Sequence, residues 1–117
     1  MGTFATAAKN TMLDALTIDR IRLHDGDPGA DGTGNQIADT LVAATFAAAS
    51  SGERALSTDV DYTELTPLQS VTYVSFWDST GPTFHGSDAV SGDQAANASG
   101  EYTVVAATTK VSLSDPA

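Results

Sequence analysis

The sequence predicts a mainly β fold: an antiparallel β-sandwich or jelly-roll-like barrel of about seven strands, preceded by one α-helix. Composition is the first reason. The acids are twelve aspartates and three glutamates, accompanied by sixteen threonines, eleven serines and ten glycines. Aspartate bonds nearby backbone amides and favours turns, whereas glutamate favours helix surfaces, so this is a turn-rich chain. The second reason is spacing, since apolar residues recur at helical intervals only near the start and alternate thereafter. The third is that the alternating stretches are separated by polar segments rich in glycine, proline or serine.

The elements follow in order. Phe4, Ala8, Met12 and Leu16 recur four apart, Leu13 widens the stripe, and Lys9, Asn10 and Asp14 fall elsewhere. This predicts a helix over 4–16 with Thr3 as N-cap, too narrow in its apolar stripe to persist without a sheet or a neighbouring subunit. From Ile18 the period becomes two, and Ile21 and Leu23 alternate with Arg20, Arg22 and His24 as in a half-buried strand. Asp25 to Asn35, DGDPGADGTGN, holds four glycines, a proline and three aspartates and is a loop. An alanine-rich stretch then places Val42, Ala44, Phe46 and Ala48 on one face of a strand. Alanine makes helix a competitor there, but Thr40, Val42, Thr45 and Phe46 suit a strand and no cap is evident.

Ser51-Gly52 turns the chain into Leu56, Thr58, Val60 and Tyr62, which alternate with Ser57, Asp59, Asp61 and Thr63 as in an amphipathic strand. Pro67 breaks it. Val71 to Trp77, VTYVSFW, is apolar or aromatic on both faces and predicts the central strand. Gly81-Pro82 is a turn, Thr83 to His85 a short return strand, and Ser87 to Gly100 a polar loop. Glu101 to Ala107 and Lys110 to Ser114 supply the last strands. With 117 residues and neither repeat nor linker, the chain reads as one domain, 1–117, its sandwich spanning 18–114.

Composition also excludes function classes. Five Lys+Arg against fifteen Asp+Glu give a net charge of -10, the wrong sign for phosphate backbones or anionic membrane surfaces. The absence of cysteine removes disulfides, thiolate metal sites and thiol nucleophiles. Nineteen alanines beside four phenylalanines, three tyrosines and one tryptophan imply a thin core. No basic-then-apolar leader opens the sequence, so the chain is expected to be made and kept in the cytoplasm unless it leaves inside a larger particle.

Candidate chemistry is sparse. Asp25, Asp27 and Asp31, with Asn35, could offer hard oxygen ligands to calcium. The helix–loop–helix calcium pattern fails, because Ala30 and Ala38 stand where its glycine and bidentate glutamate belong. The stronger reading is that these aspartates cap the loop's own turns, and no cofactor is expected. Asp25, Asp27, Pro28, Asp31 and Asn35 remain together as a candidate interaction loop. His24 and His85 are the only histidines, and no G-x-S-x-G elbow accompanies them, so no catalytic residue is assigned. A lone histidine at a strand end reads as a hydrogen-bonded surface residue. Phe46, Tyr73, Phe76, Trp77 and Phe84 are expected in the core, with a sugar-stacking platform on Trp77 and Tyr73 as the sharper alternative. Phe4, Met12 and Leu16 form the candidate docking face of the helix.

Several segments together resemble a known family. Leu23-His24-Asp25-Gly26-Asp27-Pro28-Gly29, followed by Gly32, Gly34 and Asn35, is similar to the LHT-x-DPG-x-x-G-x-N signature of short structural proteins of tailed-bacteriophage virions. The resemblance continues through Ser51 to Ser57, Val74-Ser75-Phe76-Trp77-Asp78 and Thr83-Phe84-His85-Gly86, and includes Ala8-Lys9-Asn10 and Leu13 to Leu16. The pattern departs after Asn35, where Gln36-Ile37-Ala38-Asp39 replaces a longer glycine-rich stretch. The resemblance implies a non-enzymatic virion protein, on the capsid exterior as a decoration or minor capsid protein or, alternatively, on the tail. It implies association with like subunits, trimers being common, and with the major capsid protein or with tail proteins. An acidic protein outside a DNA-filled shell has no need of basic residues.

Overall fold

The computed structural model describes residues 5–37 and 41–112. Helix α1, Thr6–Asp14, precedes β1 (Arg20–His24), β2 (Val42–Ala43), β3 (Glu53–Ala55) and β4 (Val60–Tyr62). Then come β5 (Tyr73–Asp78), β6 (Thr83–Ala89), β7 (Tyr102–Val104) and β8 (Lys110–Ser112), with a short 3-10 turn at Ala106–Thr108. All pairings are antiparallel. One sheet runs β2-β1-β5-β6, and β3-β8 and β4-β7 form two ribbons. The fold is mainly β, as predicted, with eight strands and one α-helix among the described residues, in a globule consistent with a β-sandwich.

Register explains the core. Ile21 lies opposite Phe76 and Leu23 opposite Val74, so these four side chains share one face of the main sheet. They pack with Phe46, Leu56, Val60, Tyr62, Val71, Tyr102 and Val104 in one cluster. Phe46 and Phe76 meet edge to face at 5.6 Å. The Tyr62 hydroxyl, buried, donates to the Ile21 carbonyl at 3.1 Å, so its polar end has a partner inside the core. Burial also raises the pKa of that phenol. Tyr62 and Tyr102 are core aromatics that the expected set did not include.

Two expectations about the strands change. The alternating run from Leu56 to Thr63 is not one strand, because the chain switches partners: β3 pairs with β8, Leu56 bridges Phe46, and β4 pairs with β7. The expected polar loop from Ser87 starts later, since β6 continues to Ala89 opposite Tyr73. Asp88 faces the core side opposite Val74, where burial raises its pKa. An inward charge on an edge strand discourages pairing with another chain.

The helix is shorter than expected and rotated. Leu13 is its buried residue, Met12 is 37% exposed and Ala8 is exposed, while Leu16 is half-buried beyond the helix end. Phe4 and Thr3 lie outside the described residues; the N-cap position is Ala5, without a side-chain cap. The docked face is polar. Asn10 Oδ1 accepts from Gly52 N–H at 2.9 Å and Asp14 Oδ1 from Ala49 N–H at 2.8 Å. Arg54 donates to the carbonyls of Leu13 and Leu16 at 3.3 and 2.8 Å. Among the described residues no helix is long and apolar enough to cross a membrane.

Candidate functional site

The loop that follows β1 folds back over the second face of the main sheet. That face carries Arg20, Arg22 and His24 from β1, paired with Trp77, Ser75 and Tyr73 of β5. Sequence alternation places these residues off the core, and the loop reaches them at its Gly34 carbonyl, which meets His24, while Gly32 lies against Phe84, the ring that packs on Trp77. His24 is the fastening point. It is fully buried, with Nδ1 2.7 Å from the Gly34 carbonyl and Nε2 2.7 Å from Ser75 Oγ.

A carbonyl only accepts, so Nδ1 carries a proton toward Gly34 and neutral His24 accepts at Nε2. Ser75 then donates to Nε2 and accepts from Trp77 Nε1–H at 2.7 Å. The result is a directed chain, Trp77 to Ser75 to His24 to Gly34. Burial holds the imidazole pKa below its ordinary value, with the Arg22 charge acting in the same direction. The Gly34 hydrogen bond and Asp25 oppose that shift. The expectation of a surface histidine is therefore corrected: the buried strand pair leaves a polar group no water, and the loop supplies the partner.

The loop's own bonds hold its shape. Asp27 Oδ1 accepts from Gly29 N–H at 2.9 Å, and Asp31 Oδ1 accepts from Thr33 N–H and Oγ1–H at 3.2 and 2.8 Å. Both are turns capped by an aspartate two residues back. The Thr33 bonds lower the Asp31 pKa. Gly34 N–H donates to Pro28 C=O at 2.8 Å and Asp25 N–H to Asn35 C=O at 3.0 Å. Asn35, at φ 55°, donates from Nδ2 to Asp27 C=O at 3.0 Å. Gly32 has φ 76°, and a β-carbon there would overlap the Phe84 ring.

The candidate interaction residues are thus placed as follows. Pro28 is fully buried, whereas Asp25, Asp27, Asp31 and Asn35 are exposed. Among the described residues no three His, Asp or Glu side chains are grouped to hold a metal ion, so Asp25, Asp27 and Asp31 are not brought together as ligands. His85 is half-buried on β6, at the irregularity where Gly86 opposes Phe76 and Phe84 opposes Trp77.

The five expected core aromatics divide between the faces. Phe46 and Phe76 lie in the core cluster. Trp77 is 5% exposed but on the loop-covered face, 5.3 Å from Phe84, with the Arg22 guanidinium 5.2 Å from its ring. Tyr73 and Phe84 are half-buried, not core. Trp77 therefore presents no open stacking platform. Sequence reasoning missed Ser75, although a lone serine in a strand buried on both faces signals a polar group that must be satisfied. Comparison with known proteins finds no matching family model, curated protein or solved structure.

Proposed function

We propose that the chain is a non-enzymatic structural protein of a tailed-bacteriophage virion, bound to the capsid exterior as a decoration or minor capsid protein. One observation supports this reading above others. Three of the segments that carry the resemblance, 23–29 with 32–35, 74–78 and 83–86, meet in one packed unit around His24, Ser75, Trp77, Gly32 and Phe84. What they share is a way of closing a loop over a sheet, with both nitrogens of His24 committed to internal bonds. That is scaffold chemistry, and it leaves function to the outer surface. A net charge of -10 suits a surface that faces solvent on a repeated particle.

Imaging of the virion that encodes the chain tests the reading. The expected result is many copies at symmetry axes or between capsomers of the head. A few copies at the tail tip would move the protein to the tail. Absence from purified particles would overturn the assignment.

A further inference from the structure

Leu68 breaks a local rule without an internal return. The turn Thr66–Gln69 is closed by Gln69 N–H to Thr66 C=O at 3.0 Å, with Pro67 second and Leu68 third at φ 63°. This is the pattern of a type II turn, whose third position favours glycine or asparagine because a β-carbon crowds the backbone there. The leucine side chain is 70% exposed, the most open of the large apolar residues among those described. Burial therefore offsets little of the strain. The turn is also held: Leu68 N–H donates to Asn97 C=O, Ala96 N–H to Gln69 C=O and Val71 N–H to Gln94 C=O, at 3.0, 2.8 and 2.8 Å. An apolar side chain kept on a fixed turn where glycine folds more easily points to a contact outside the molecule.

Charge decides what that contact is. Between Ala55 and Thr109 the sequence has seven carboxylates and no lysine or arginine. Asn97, whose carbonyl receives Leu68, lines an open groove of about 390 Å³ with Asp61, Asp93 and Glu101. Its Nδ2 also donates to Glu101 at 3.0 Å, which ties that carboxylate to the residue whose carbonyl holds Leu68. A second copy docked here by the same surface would set these carboxylates against their own kind, so like subunits are expected to meet elsewhere. We propose that Leu68 is the apolar anchor of an interface with a basic protein surface, one offering an apolar socket rimmed by lysine or arginine. This rests on the reading that the chain attaches to a virion lattice, and it names the chemistry of the surface it meets.

The test adds purified chain back to particles grown without it, across a range of salt. Wild type should bind, more weakly as salt rises. Leu68→Gly and Leu68→Asn both accept the positive φ, so they should keep or raise the melting temperature while losing about tenfold or more in affinity. Leu68→Met, apolar and similar in size, should retain binding. Equal binding by wild type and Leu68→Gly would overturn the anchor and leave the lattice reading standing. Salt-insensitive binding would overturn the basic partner, and a dimer of the free chain that Leu68→Gly dissolves would assign the anchor to a second copy instead. Failure of wild type to bind at all would overturn the lattice reading and the anchor with it.

Discussion

Strand β5 is buried on both faces, but by different means. On one side Val74 and Phe76 meet other apolar side chains. On the other, Ser75 bonds both Trp77 and His24, and His24 in turn fastens a glycine-rich polar loop. The first face is held by area removed from water, a non-directional gain that scales with size. The second is held by a few directed bonds whose loss leaves buried donors and acceptors unpaired. The apolar face should therefore govern global unfolding, and the polar face a local opening of the loop.

Truncating the apolar face should have the largest effect. Phe76→Ala removes a fully buried ring and its contact with Phe46, and should lower unfolding free energy by about 3–5 kcal/mol in denaturant titration. A loss under about 1 kcal/mol would mean the core is not centred there.

Ser75→Ala should come next, at about 1–3 kcal/mol for each buried group left unpaired, here Trp77 Nε1–H and His24 Nε2. Its signature should be local. Amide exchange at Gly34 and Asp25, whose N–H groups bond within the loop, should quicken more than exchange in β5. Uniform acceleration would erase the distinction between the faces.

Gly32→Ala should cost about 1–3 kcal/mol, since the positive φ is strained for alanine and the β-carbon displaces Phe84. Tryptophan fluorescence should report it, because Phe84 packs on Trp77, the single tryptophan. An unchanged spectrum and stability would show that the loop does not rest on Phe84.

The smallest effect at neutral pH is that of His24 titration. Its pKa is lowered in the fold, so below about 6.5 the unfolded chain takes up a proton that the folded chain does not. The stability it contributes is present above that pH and is lost as pH falls through the lowered pKa. Asp88, with a raised pKa, acts in the opposite sense nearer the carboxylate range. Melting temperature should fall from pH 7.5 toward 5.5 in wild type, and His24→Gln should start lower with a flatter profile. Parallel profiles would remove His24 from the linkage.

Much of this was legible in the residues. The alternation of Ile21 and Leu23, the two-sided run around Phe76 and the turn chemistry of Asp25 to Asn35 act over a few neighbours, and they predicted β1, β5 and the loop. The docked face of the helix was not legible, because Asn10 and Asp14 gain partners only once Gly52 and Ala49 bring their N–H groups across. Nor was the role of His24. Alternation put it off the core, but a polar residue off the core reads as solvent-facing until a loop is known to return over it.

By itself, then, the sequence determined a mainly β chain with one short helix, a thin core and turns made of aspartate and glycine, since periodicity and turn preference are local. Only the tertiary structure decided which strand each segment pairs with, and why Leu56 to Tyr62 changes partners midway. It also decided that one face of the sheet is sealed by hydrogen bonds, and that Leu68 stands out in solvent. Those outcomes depend on groups far apart in the chain, where no neighbouring residue carries the signal.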